Sequence, residues 1–100
     1  MNVKMLGNFK SIFREIYFYN TRYSRKYANK IRMLISKSIS RLADFPYIGR
    51  YLPEDDTKKY GELICQKYRI LYSVSEKNDT VYIHYIIYAG RNFGAFFQDL

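Results

Sequence analysis

The chain predicts an α+β fold: a short first strand, a two-helix antiparallel hairpin laid on one face of an antiparallel sheet (β-α-α-β-β-β), and a short C-terminal helical segment. Three observations predict it. Apolar residues recur at helical spacing through the first half of the chain, and three short runs rich in β-branched and aromatic residues fill the second. Pro46, Gly49 and Pro53 punctuate the join. One hundred residues make a single domain, residues 1–100.

"VKML" (Val3–Leu6) reads as the first strand, stopped by Gly7. Phe9, Ile12, Phe13, Ile16 and Tyr17 then form one stripe of an amphipathic helix, with Asn8 placed to cap it. After "YNTRYS", Ser24 caps a longer helix running to about Ala43. At about 100° per residue, Tyr27, Ile31, Leu34, Ile35, Ser38 and Leu42 share its apolar face. Lys26, Lys30, Lys37 and Arg41 fall in a narrow arc beside them. "ADFPYIGRYLPEDD" (Ala43–Asp56) is irregular, and its acidic end reads as an exposed loop. "GELICQ" (Gly61–Gln66), "KYRILYSVS" (Lys67–Ser75) and "TVYIHYIIY" (Thr80–Tyr88) are strands, the last two joined across "EKND". Beyond them Phe93, Phe96, Phe97 and Leu100 keep i, i+3, i+4, i+7 spacing, one or two turns of amphipathic helix.

Alternation assigns the faces of the sheet. Tyr68, Ile70, Tyr72 and Val74 point one way; Arg69, Leu71, Ser73 and Ser75 point the other. In the final strand Val81, Ile83, Tyr85 and Ile87 form the apolar set, and Tyr82, His84, Ile86 and Tyr88 the mixed one. Pairing Ser75 with Thr80 sets Tyr82 opposite Ser73, His84 opposite Leu71 and Arg69 beside Ile86. Arg69 thus lies on a face that the helices leave open, where it either meets an anion or pairs with an acidic side chain such as Glu62. His84 reads either as a strand residue or as a member of that surface, and Tyr82 and Tyr88 offer rings to it.

Lys and Arg outnumber Asp and Glu 17 to 9, a formal charge of +8. Such a field favours an anionic partner. Cys65 is the only cysteine, so no internal disulfide forms; in its apolar run it reads as a small core residue. The longest apolar run, Tyr82–Ala89, falls far short of a membrane span, so no membrane is expected and the protein reads as cytoplasmic.

"RLADFPYIGR" (Arg41–Arg50), "YGELICQKYRILYSV" (Tyr60–Val74) and "VYIHYIIYAGRNFGAFF" (Val81–Phe97), in this order, resemble the RelE/ParE superfamily of bacterial type II toxin–antitoxin toxins. The resemblance implies a compact toxin without a cofactor or metal, neutralised by a cognate antitoxin. It is closer to the ParE-like, plasmid-stabilisation branch, which shares the long helical hairpin, the "FP-x-x-GR" turn and a tail similar to Gly90–Phe97. That branch implies growth inhibition by binding DNA gyrase, without RNA cleavage. The RelE-like branch implies a ribosome-dependent, metal-independent mRNA endonuclease in which Arg69 and Arg91 would be catalytic. A third expectation is an inactive homologue that only binds antitoxin.

Where RelE-type nucleases place lysines, this chain has Tyr60-Gly61-Glu62-Leu63, and Phe96 and Phe97 stand where a catalytic tyrosine is expected. Gly61 also stands where the ParE-like branch often carries arginine. The residues expected to contact target or phosphate are Arg69, Arg91, Lys58, Lys59, His84, Tyr82 and Tyr88. Phe93, Phe96 and Phe97 are expected to bind antitoxin. The oligomeric state stays open.

Overall fold

A computed structural model describes residues 1–90. The elements are β1 (Asn2–Met5), α1 (Gly7–Thr21), α2 (Arg25–Ser40) with a 3-10 turn (Arg41–Ala43), β2 (Arg50–Tyr51), β3 (Tyr60–Cys65), β4 (Tyr68–Ser75) and β5 (Thr80–Tyr88). The expected α+β order holds, with the two-residue β2 added. The sheet order is β1-β5-β4-β3-β2. It is mixed, not wholly antiparallel, because β1 runs parallel to β5 with Asn2 opposite Thr80 and Met5 opposite Ile83. The helical hairpin carries the chain from β1 across to β2 at the other edge of the sheet, and β5 takes its place beside β1 only after β3 and β4. The expected tail helix over Phe93–Leu100 lies outside the described residues.

Helix α2 starts as expected. Ser24 is extended (φ −168°), and its Oγ accepts from the Tyr27 N–H at 2.9 Å. Helix α1 starts differently: Leu6 is its N-cap and offers no side-chain bond. Asn8, expected to cap, instead donates from Nδ2 to the Tyr85 hydroxyl at 3.0 Å, tying the helix start to β5. The buried stripe of α2 is Ala28, Ile31, Ile35 and Ile39, followed by Leu42. Tyr27, expected on that stripe, stands at its edge and is exposed.

The main core lies between the helices and one face of the sheet, where Phe9, Ile35, Ile70, Ile83 and Ile86 are almost fully buried. Asn20 is the polar side chain sealed into this layer. Its Nδ2 reaches the Ile16 carbonyl at 3.0 Å and the Tyr68 hydroxyl at 3.2 Å, so α1 is pinned to β4 without an unpaired amide. Cys65 is buried in the same core, as expected. The Met1 amine donates to the Ala43 carbonyl at 2.8 Å, closing the end of the hairpin on β1.

The β4–β5 register agrees with alternation only as far as Ile83. Ser75 pairs with Thr80, Ser73 with Tyr82 and Tyr72 with Ile83. A bulge then accommodates His84, so Leu71 meets Tyr85, Ile70 meets Ile86 and Arg69 meets Ile87. One extra residue exchanges the faces of everything beyond it. Tyr85 and Ile87, expected against the helices, lie on the far face; Ile86 and Tyr88, expected on the far face, join Ile70 and Tyr68.

The far face is not bare either. Leu52, Leu71 and Ile87 form a second small core with Tyr60 and Tyr85. The segment after β2 folds Leu52 onto the sheet, its N–H donating to the Tyr60 carbonyl at 3.0 Å.

Candidate functional site

Four charged side chains occupy this second face. Arg50 on β2 stands directly opposite Glu62 on β3, while Ile64 stands opposite Arg69 on β4. Glu62 and Arg69 are therefore diagonal neighbours pointing the same way. Glu54 comes in from the acidic segment after β2. Arg50 Nε donates to Oε1 of Glu62 at 2.7 Å. Arg69 donates from Nε and Nη2 to Oε2 of the same carboxylate. Its Nη1 and Nη2 grip Glu54 in a fork at 3.0 and 2.8 Å.

The guanidinium of residue 69 is therefore held between two carboxylates. Its side chain is 13% exposed and that of Glu62 is 1% exposed, whereas Arg50 remains 60% exposed. Of the two expectations for Arg69, ion pairing is the one its bonds describe, with Glu54 as a second acid. Bonding to Glu54, and next to Glu62, raises the guanidinium pKa against the opposing effect of burial. The Arg69 bonds in turn hold the Glu54 carboxyl below its ordinary range. Two cations and two anions leave the cluster balanced.

Beside it, Ser73 Oγ and His84 Nε2 share a hydrogen bond at 2.7 Å, and the Tyr60 ring meets the imidazole edge-on at 5.3 Å. Burial, helped by the charge of Lys59, lowers the His84 pKa, so the ring is neutral at pH 7. A serine–histidine contact of this length suits nucleophile activation when a third group orients the ring. Among the described residues no acid bonds His84, and the contact instead joins β4 to β5 at the bulge.

The remaining expected residues scatter. Lys58, at φ 58°, sets its ammonium over the Tyr51 ring at 5.7 Å; Lys59 does the same to Tyr60 at 5.3 Å. The Tyr82 hydroxyl accepts from Asn78 at 3.1 Å, near the β4–β5 turn. Tyr88 pairs with Tyr68 on the helix side and meets its ring at 6.3 Å, so the expected grouping with Arg69 is not formed. Arg91, Phe93, Phe96 and Phe97 lie outside the described residues.

Sequence reasoning missed Arg50 and Glu54. Arg50 ends the "FPYIGR" turn and Glu54 lies in the acidic loop, but only the fold of β2 over β3 brings them to Arg69. Gly61 also gains a role. A Cβ there would come within 2.5 Å of the Tyr72 ring, which lies across the strand and accepts the Gly49 N–H at its hydroxyl, 3.0 Å away. Among the described residues no group of three or more His, Cys, Asp or Glu is placed to hold a metal ion, and no helix is long and apolar enough to cross a membrane.

A different surface carries a concavity. A groove of about 520 Å³ runs between β1, α1 and α2. Val3, Met5, Phe13, Tyr17, Phe18 and Ile39 line it, together with Lys10, Arg14 and Arg32. Apolar walls with cations among them suit an acidic amphipathic segment.

Among curated proteins, none matches the chain in sequence. Among solved structures, a chain of the chromosomal ParDE TA system from P. aeruginosa matches it with a TM-score of 0.73. That match covers 88% of this chain and 95% of the other at 15% identity, a likeness of fold. The family model for the ParE toxin of the type II toxin–antitoxin system, parDE, matches residues 3–93. With nearly the whole sequence and the architecture in agreement, the chain belongs to the ParE toxin family.

Proposed function

We propose that this protein arrests growth by binding DNA gyrase, acting through contact and not through RNA cleavage, and that a cognate antitoxin silences it. The observation that carries the first half is the balanced cluster Arg50–Glu62–Arg69–Glu54. A nuclease of the RelE type needs cations at the scissile phosphate to stabilise charge that develops there. Here the arginine in the matching strand is committed to two carboxylates, and a phosphate brought to it would also meet theirs. Lys58 and Lys59 each face an aromatic ring, which suits a protein partner as well as an anionic one.

The groove between β1, α1 and α2 supports the antitoxin half. Its apolar lining and its three cations complement an acidic amphipathic segment that orders on binding. Phe93, Phe96 and Phe97 would add apolar contacts to that partner.

The deciding experiment pairs two readouts with purified protein. Gyrase supercoiling is expected to fall with increasing protein and to recover when antitoxin is added, while mRNA on stalled ribosomes stays whole. Supercoiling unchanged at saturating protein overturns the target. A-site cleavage that disappears in Arg69→Ala establishes the nuclease instead.

A further inference from the structure

The net charge of this protein is not spread over its surface. Residues 7–43, the helical hairpin and its 3-10 turn, hold nine Lys and Arg against Glu15 alone. The rest of the chain holds eight of each sign. The whole formal charge of +8 therefore belongs to the helical layer. Among the described residues none of these nine cations forms a salt bridge; the ion pairs found involve Arg50 and Arg69, on the opposite side of the sheet.

Their arrangement is directional. Lys26, Lys30 and Lys37 are exposed at intervals of four and seven residues, so they fall in one row on the side of α2 turned away from Ile31, Ile35 and Ile39. At 1.5 Å per residue that row is roughly 16 Å long. It leads to the hairpin tip, where the rings stand in solvent: Tyr19 is 52% exposed and Tyr23 71%. The two rings meet edge-on at 6.0 Å, and the Arg22 guanidinium lies 5.6 Å from the centre of the Tyr19 ring. Tyr27, also exposed, continues the series into α2.

We propose that this tip and row form a binding surface for single-stranded nucleic acid. Phosphates would follow the lysine row, and unpaired bases would stack on Tyr19 and Tyr23. Charge alone would accept any polyanion; the rings select among them. An acidic polypeptide needs an apolar trough for its side chains, and that trough is the groove between β1, α1 and α2, away from the tip. At the tip the rings stand in solvent beside the Arg22 guanidinium, a pairing that suits bases of any sequence. The inference stands apart from the target proposed above, since direct strand binding requires neither gyrase nor antitoxin.

The test is fluorescence anisotropy of the full-length protein with a labelled oligothymidylate of about 20 nucleotides, long enough to exceed a typical site of roughly 4–16. Binding is expected to weaken with salt, by about 0.7 in log–log slope for each phosphate engaged. Lys30→Gln with Lys37→Gln should cut that slope by about 1.4. Tyr23→Ala should weaken the oligothymidylate about tenfold while leaving a duplex of equal length unaffected, because only unpaired bases stack. All three positions are exposed, and unchanged circular dichroism melting would confirm the fold of each variant. Absence of binding at low salt overturns the proposal, as does affinity indifferent to Tyr23. Polyglutamate competing as well as unlabelled oligothymidylate, charge for charge, overturns it too and assigns the surface to an acidic protein. Supercoiling inhibition that survives Tyr23→Ala leaves the gyrase reading intact, so the two proposals can fail separately.

Discussion

Replacing Glu62 by Gln isolates the electrostatic core of the second face. The change keeps volume and one acceptor oxygen, but removes the negative charge shared by Arg50 and Arg69. Breaking a buried pair by removing one partner typically costs about 3–5 kcal/mol. Two features reduce that figure here. Arg50 is 60% exposed and falls back on water, and Arg69 keeps its fork to Glu54. What remains is a nearly buried guanidinium with half its compensation, about 2–3 kcal/mol. For a domain of this size that lowers Tm by roughly 10–20 °C, at about 4–8 °C per kcal/mol. Arg50→Gln, which removes the solvent-facing partner, should cost at most about 1 kcal/mol. Urea unfolding followed by circular dichroism reads both variants. Equal losses, or a Glu62→Gln loss below about 0.5 kcal/mol, would refute the view that this carboxylate anchors the cluster.

Other outcomes follow from the same geometry. Gly61→Ala must displace the buried Tyr72 ring and should cost about 2–4 kcal/mol; a variant that melts like the parent would contradict the packing seen there. Gln66 sits at φ 55° in the β3–β4 turn, so Gln66→Gly should raise stability by about 0.5–1 kcal/mol, measurable as a higher urea midpoint. Stability should also decline on acidification in two windows. The first opens below the ordinary His84 value of 6.5, since the unfolded chain takes up a proton there while the folded ring, with its lowered pKa, stays neutral. The second opens below 4.5, as the Glu54 carboxyl protonates in the unfolded chain before the folded one, and its contribution is lost as pH falls through the lower folded pKa. Stability that stayed flat between pH 7 and pH 5 would remove His84 from this account.

Much of the scaffold could be read from residue order, because each helix and strand has a one-sided pattern long enough to declare its period. Spacing alone places Ile31, Ile35 and Leu42 on the core face, and the position of Ser24 ahead of the second helix marks it as a cap. Two kinds of information escaped. Alternation cannot reveal a bulge, so a single extra residue at His84 moved Tyr85, Ile86, Ile87 and Tyr88 to faces opposite those expected. Long-range partnership escaped as well. Glu62 was a foreseeable neighbour of Arg69, but Glu54 reaches it only because the segment after β2 doubles back over the sheet. Gly61 illustrates the same limit: what looked like a missing arginine is space that the Tyr72 ring fills.

The pairing of β1 with β5 has a temporal consequence. Residues 2–5 leave the ribosome well before the strand that receives them, residues 80–88, has been made. β1 must wait, unpaired, while the helices and the other strands of the sheet are synthesised. A nascent chain therefore cannot complete its sheet, or assemble any surface that depends on it, until β5 has emerged. Assembly of the fold is delayed by topology alone, for as long as synthesis of the intervening residues takes.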